Sequence, residues 1–162
     1  MQTTTNTELK TKLGPGPWAT EPDHATWKTK AGLHAIIHRV PHHGALCGYV
    51  AVPPGHPHHK VHYDEVPVDV HGGLTYAKEC AGEICHVAEP GEPEDVWWLG
   101  FDCAHSDDLA PISNLFFSRL AFQGHSYNEE YRDFEYVKAQ CEKLAEQLAG
   151  MSLKEDARVQ HG

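Results

Sequence analysis

The feature that most constrains the fold is a nearly continuous apolar run from Val96 to Cys103. It contains two tryptophans and no charge before Asp102, which is typical of a strand buried on both faces. The run passes directly into Asp102, His105 and Asp108, polar groups that fill a core poorly and are well suited to chemistry. The pattern predicts a central strand with titratable side chains at its end.

Three further strands are predicted upstream. Residues 33–40 and 46–52 are rich in β-forming side chains, and the Pro41-His42-His43-Gly44 link predicts an antiparallel hairpin. A third strand is expected from Val68, bending at Gly72-Gly73 and continuing through Tyr76. Residues 115–122 are apolar, and their periodicity leaves a strand and a short buried helix equally open.

A long C-terminal helix is predicted over residues 128–149. Ser126-x-x-Glu129 fits a capping box, and Gly150 fits a stop signal. One helical face carries the expected apolar residues at i, i+3 and i+4 spacing: Phe134, Val137, Cys141, Leu144, Ala145 and Leu148. This helix should pack across one face of the sheet.

The chain is expected to fold as one α+β domain over residues 18–150, with a mostly antiparallel sheet. Its 162 residues, 40% of them hydrophobic, suffice for one core. Residues 1–17, which end in Gly-Pro-Gly-Pro, are predicted to be a disordered leader, and residues 151–162 a flexible tail.

The charge balance excludes several partners. A formal charge of −10 with 13 Lys and Arg residues disfavours a DNA or RNA duplex and an anionic membrane. No apolar run reaches the roughly 18 residues of a membrane span, and Met1–Lys12 has no signal-peptide core. Five cysteines, an odd number, favour the cytoplasm with free or metal-bound thiols over a disulfide framework. A homo-oligomer is left open.

A second polar stretch, His71-Gly72-Gly73-Leu74-Thr75, follows another predicted strand. If the two strand ends are neighbours, His71 and His105 converge with Asp102 and Asp108. This set would suit a divalent metal that activates water, a metal-free acid and base, or a pocket that holds ribose hydroxyls and base edges. The plain alternative is that Asp102 caps a turn and His71 is a satisfied strand-end histidine.

Other residues are candidate ligand contacts. His56 lies in a Gly-His-Pro segment, and Tyr63 is placed to stack on a ligand or bond to it. Trp97 and Trp98 point to opposite faces of a regular strand, so one is core and the other, taken as Trp98, would line the pocket. Base–aromatic stacking is worth roughly 1–3 kcal/mol.

A zinc site is a separate hypothesis. Cys80, Cys85 and His86 would be three ligands, with Cys103 or His105 as the fourth. The alternative is that these cysteines are small core residues.

Four segments of the chain resemble a family of small, mostly uncharacterised bacteriophage and bacterial proteins. They are CGYVAVPPGHP (47–57), VDVHGGLTYA (68–77), ICHVAEPGEPEDVWWLGFDCAHSDD (84–108) and YRDFEYVKAQCEKLAEQLA (131–149). The family's second motif ends Ala-His-x-Gly-Asp. The resemblance therefore implies that Asp108 matches the acidic position and that Asp107 replaces a glycine, which reduces the backbone freedom that aims Asp108.

The resemblance itself implies no particular activity. Phage genomes carry compact proteins of about this size that bind or cleave the nucleotide signals of bacterial immunity, and the expectation of an anti-defence function comes from that association. No P-loop, G-x-G-x-x-G, G-x-S-x-G or H-E-x-x-H motif is present. The expected function is therefore sequestration of a cyclic oligonucleotide or ADP-ribose derivative. The alternatives are a hydrolase of such a signal and a zinc-stabilised protein-interaction module. The nearest cations for phosphate, Arg39, Lys60 and Arg119, lie outside the motifs.

Overall fold

The computed structural model describes residues 1–86, 88–112 and 130–161. Its centre is a six-stranded sheet in the order β1-β2-β3-β4-β6-β5, and every neighbouring pair is antiparallel. The strands are β1 (Gln2–Thr4), β2 (His24–Lys28), β3 (His34–Arg39), β4 (Leu46–Val52), β5 (Tyr76–Glu79) and β6 (Trp97–Asp102). The α-helices are α1 (Thr7–Leu13) and α2 (Phe134–His161), and short 3₁₀ helices cover Pro17–Thr20 and Tyr63–Glu65.

The middle of the sheet confirms the predicted strands and hairpin. All seven residues of β4 are buried, and β4 pairs with β3 on one side and β6 on the other. In β6, the four residues between Trp97 and Asp102 are also buried, as the apolar run predicted. The register places Cys47 opposite Asp102, so the polar end of β6 lies beside the start of β4.

Helix α2 packs on one face of the sheet, which confirms the α+β class. All six predicted apolar positions are buried in one core cluster with residues of β3, β4 and β6. The helix starts later than predicted because the Asp133 carboxylate accepts the N–H of Tyr136 and caps it. It also runs through Gly150 to His161, which corrects the predicted stop at Gly150. The predicted Ser126 cap and residues 115–122 lie outside the described residues.

The N-terminal segment differs from the predicted disordered leader. Strand β1 extends the sheet through pairing of Thr3 with Ala25, and the Asn6 side chain caps α1 by accepting the N–H of Leu9. Leu9 and Leu13, four residues apart, are buried with Trp18 in a cluster of their own. The segment is mostly polar, so its composition did not indicate the short amphipathic helix that buries Leu9 and Leu13.

The third predicted strand is shorter than expected and begins later. Residues 68–75 are not a strand, and β5 begins at Tyr76. Gly72 and Gly73 have φ of +65° and +80° and form a turn that leads into β5. No helix in the described ranges is both long and apolar enough to cross a membrane.

Candidate functional site

The centre of the candidate site is the carboxylate of Asp108, whose side chain is 1% exposed. Both of its oxygens lie 2.9 Å from Nε2 of His71. The Nε–H of Arg132 donates to Oδ1 at 2.9 Å, and the backbone N–H of His105 donates to Oδ2 at 3.0 Å. The His105 ring is the fourth partner, with Nδ1 at 3.2 Å from Oδ2. We call Asp108, His71, His105 and Arg132 the Asp108 cluster.

A tight turn after β6 aims Asp108 inward. The N–H of Asp108 donates to the carbonyl of His105 at 2.9 Å, and the segment then bridges in parallel to Glu130. That bridge brings Arg132 next to Asp108. Among the described non-glycine residues, only Lys60 has a positive φ, so Asp107 occupies its place in the turn without left-handed strain. The aim of Asp108 therefore does not depend on a glycine at position 107.

His71 is held from both sides of its ring. Its backbone N–H donates to the Gln140 side chain at 2.9 Å, and its Nδ1 lies 2.7 Å from the Tyr136 hydroxyl. Since a carboxylate only accepts, Nε2 carries the proton toward Asp108 and Nδ1 accepts from Tyr136 when the ring is neutral. Both residues on α2 therefore fix the imidazole that approaches Asp108.

His105 is the more accessible of the two histidines, with a side chain 34% exposed. Its Nδ1 lies 3.2 Å from Asp108 and 3.5 Å from Oδ1 of Asp102. Asp102 is itself oriented by Thr75, whose hydroxyl donates to Oδ2 at 3.0 Å. With Nδ1–H turned toward two carboxylates, the lone pair of the neutral ring is on Nε2. This is the arrangement of a histidine prepared to accept a proton.

Gly72 allows the His105 ring to take this position. A Cβ at Gly72 would lie 2.2 Å from Cε1 of His105, far inside contact distance. The close approach and the positive φ both explain the glycine. Gly73, by contrast, has open space around it, with no heavy atom within 4 Å of an added Cβ.

The electrostatics keep Asp108 ionised. Burial alone would raise the pKa of this carboxyl, but hydrogen bonds from His71, Arg132 and the His105 backbone outweigh it and lower the pKa. The hydrogen bond to Asp108 also raises the pKa of Arg132. Arg132 is thus a permanent cation, and it supplies the positive charge that the stretches 71–75 and 102–108 lack.

Three predicted ligand contacts lie elsewhere. His56 is buried, with Nε2 2.7 Å from the carbonyl of Leu148, so it fastens its loop to α2. Tyr63 stacks on His62 with ring centroids 4.1 Å apart, and no described contact joins it to the Asp108 cluster. Trp98 is fully buried in the core on the other face of the sheet. The structure therefore does not bring these three residues to the Asp108 cluster.

The predicted cysteine zinc site is not assembled. Cys80 and Cys85 form a disulfide, because the bridge between Ala81 and Ile84 brings their Cα atoms to 4.6 Å. His86 faces His34 and Glu92 instead of the sulfurs. The two proposed fourth ligands are elsewhere as well, since Cys103 is buried in the core and His105 belongs to the Asp108 cluster. The disulfide corrects the expectation of free or metal-bound thiols at Cys80 and Cys85.

Sequence reasoning missed Arg132, Tyr136 and Gln140, all of which contact the site. They are spaced four residues apart, so one stripe of α2 and its preceding turn carries them. The four-residue spacing could have indicated a polar stripe on one helix face, but the apolar stripe beside it is the stronger pattern.

The Asp108 cluster has a donor set that metals accept, since one ligand atom each from His71, His105 and Asp108 lie within 4.8 Å of one another. The positively charged Arg132 guanidinium would repel a metal ion at this position, because it already donates a hydrogen bond to the Asp108 carboxylate. The arrangement is therefore better suited to proton transfer than to metal binding. In comparisons with known proteins, the chain matches no family model, no curated protein and no solved structure.

Proposed function

We propose that this protein hydrolyses a small phosphate-containing, nucleotide-derived signal at the Asp108 cluster. The observation that carries the proposal is the oriented imidazole of His105, whose Nδ1 faces Asp108 at 3.2 Å while the ring is one-third exposed. A buried carboxylate that fixes the tautomer of an accessible histidine is a recurrent arrangement in general-base catalysis. The substrate class comes from the association with phage proteins of this size, as does the proposed setting of bacterial anti-defence in the host cytoplasm.

The proposed reaction uses groups already in contact. Nε2 of His105 accepts a proton from water, and the water oxygen forms a bond to phosphorus. The bond from phosphorus to the leaving oxygen then breaks, and the His105 imidazolium returns its proton to that oxygen. Arg132 offsets the negative charge that develops on the phosphoryl oxygens. His71 and Tyr136 are positioning residues, because His71 holds Asp108 and Tyr136 holds the His71 ring.

Sequestration without cleavage is the second candidate, and the state of His71 favours it. Both nitrogens of that ring are engaged with protein groups, at 2.9 Å to Asp108 and 2.7 Å to Tyr136. A single free imidazole then faces the ligand, without a separate acid for the leaving group. In this case His105, Thr75 and Asp102 would bind ribose hydroxyls and base edges, and Arg132 a phosphate.

One experiment separates the candidates. The protein is incubated with a panel of cyclic oligonucleotides and ADP-ribose derivatives, denatured, and the nucleotides are analysed by chromatography and mass spectrometry. Hydrolysis predicts new products with the wild type and with a His62→Ala control, and a loss of about 10²–10⁴ in rate with His105→Ala. A ligand retained by the native protein and recovered intact supports sequestration. If no compound is retained or cleaved, the proposal fails for this ligand class.

A further inference from the structure

A second cluster of titratable groups lies on the face of the sheet opposite α2. His34 begins β3, His86 follows the disulfide-closed turn after β5, and Glu92 lies in the acidic Pro/Gly loop that leads to β6. One ligand atom from each of the three lies within 4.8 Å of the others. The two imidazole rings are close, with centroids 4.3 Å apart and planes tilted by 32°.

His86 is the unusual member, because its ring nitrogens are buried without a partner. Within the described part of the chain, neither Nδ1 nor Nε2 of His86 makes a hydrogen bond. Buried polar atoms are nearly always satisfied, so an orphaned imidazole indicates a ligand or an ion that completes it.

Glu92 supplies the negative charge of the cluster. Nε2 of His34 lies 2.9 Å from both of its carboxylate oxygens. The carboxylate also accepts from Lys28 at 3.3 Å and from the backbone N–H of Glu89 at 3.0 Å.

We infer that His34, His86 and Glu92 form a binding site for a divalent metal ion of the zinc type. Two imidazole nitrogens and one carboxylate oxygen are the ligand set of many zinc sites that keep a fourth position open. A cavity of about 150 Å³ adjoins the cluster and is lined largely by apolar side chains, including Leu33, Ala51, Pro53 and Val96. It has room for a water molecule or a small anion as the fourth ligand.

The other two histidine clusters are less suited to a metal. His24 and His38 already satisfy each other, with their Nδ1 atoms 3.1 Å apart, and their third member, Glu83, is exposed. In the Asp108 cluster, the Arg132 guanidinium donates to the carboxylate at 2.9 Å, a shorter contact than the 3.3 Å from the exposed Lys28 to Glu92. The His34–His86–Glu92 site combines an ionised carboxylate with an unpartnered imidazole. A bound ion there would fasten the acidic loop to β3.

Zinc titration of the full chain tests the inference. The protein is freed of metal with a chelator, and Zn²⁺ is titrated against a competing chelator to measure stoichiometry and affinity. We expect one saturable site in the wild type and in His62→Ala, and an affinity weakened at least about 100-fold in His86→Ala and Glu92→Gln. Circular dichroism checks the fold. Because the Glu92 side chain is 21% exposed, Glu92→Gln is decisive if His86→Ala does not fold.

Two results would overturn the inference. One is the absence of saturable zinc binding by the folded wild type. The other is binding that Glu92→Gln retains at wild-type affinity, including the case in which His105→Ala abolishes it and so places the metal in the Asp108 cluster. Thermal unfolding gives a second readout, since zinc should raise the Tm of the wild type and leave that of Glu92→Gln unchanged.

Discussion

Substituting Gly72 by alanine should damage the Asp108 cluster, whereas the same change at Gly73 should not. Both residues have positive φ, +65° and +80°, so both alanine variants carry a backbone cost of about 1–2 kcal/mol. They differ in their surroundings. The new methyl group at position 72 would lie 2.2 Å from Cε1 of His105, and at position 73 it would meet open space.

The extra cost at Gly72 follows from the displacement of His105. To reach ordinary contact distance, the ring must withdraw by more than about 1 Å. Its Nδ1 then moves beyond hydrogen-bond distance of Asp108, where it now lies at 3.2 Å. A hydrogen bond to a charged group is worth about 1.5–3 kcal/mol, and the partial exposure of His105 places this one at the lower end. Gly72→Ala should therefore be about 1–2 kcal/mol less stable than Gly73→Ala.

Urea denaturation of the two variants measures this difference, and long-range ¹H–¹⁵N NMR of the imidazoles reports the His105 tautomer. We expect the Nδ1–H tautomer in the wild type and in Gly73→Ala, and its loss in Gly72→Ala. Equal stabilities for the two variants, or an unchanged His105 spectrum in Gly72→Ala, would refute the packing of His105 on Gly72.

Three further predictions concern the scaffold. Leu144→Ala should lower the free energy of unfolding by about 2–5 kcal/mol in urea denaturation, because the Leu144 side chain is fully buried against the sheet. The control Glu146→Ala, at an exposed position of the same helix, should change it by less than about 0.5 kcal/mol, and equal losses in the two variants would contradict the packing of α2. Burial lowers the pKa of His56, whose Nδ1 accepts a backbone N–H, so the neutral ring contributes its full stability above about pH 6.5. As the pH falls below that value toward the lowered pKa, the free energy of unfolding should drop by up to about 1.4 kcal/mol per pH unit. Urea titrations at pH 7.5 and 5.5 should show a weaker pH dependence for His56→Gln, and an unchanged dependence would refute this role of His56. Thiol titration of the denatured, unreduced protein should find three free cysteines, because Cys80 and Cys85 form the disulfide, and five free thiols would contradict it. Reduction should lower the free energy of unfolding by about 2 kcal/mol, since the disulfide closes a short loop.

The sequence predicts the centre of the fold well because periodicity is a direct record of burial. The α2 face from Phe134 to Leu148 and the strands β4 and β6 follow from it, and all are confirmed. The structure also brings His71, His105 and Asp108 together, as neighbouring strand ends were expected to do, but the local structure around His71 differs from the expectation. His71 reaches the cluster from a turn before β5 and is held by α2, not by a continuous strand.

The remaining features depend on contacts that are remote in sequence. Arg132 meets Asp108 through a bridge at Glu130, a pairing that no local pattern encodes. The choice between a disulfide and metal ligation at Cys80 depends on the turn geometry, which the spacing leaves open. The histidines at 34 and 86 are 52 positions apart and carry no shared motif, so their cluster is visible only in three dimensions.

In the proposed hydrolysis, His105, oriented by Asp108, activates water for attack on a phosphate ester. Incubation of the protein and the nucleotide panel in H₂¹⁸O, followed by mass spectrometry of the products, follows the oxygen of that water. We expect one ¹⁸O atom in the phosphate product for each bond cleaved by the wild type, and at least about 100-fold less product with His105→Ala. Product that forms at the wild-type rate in His105→Ala, or a ligand that is always recovered unlabelled and intact, would contradict it.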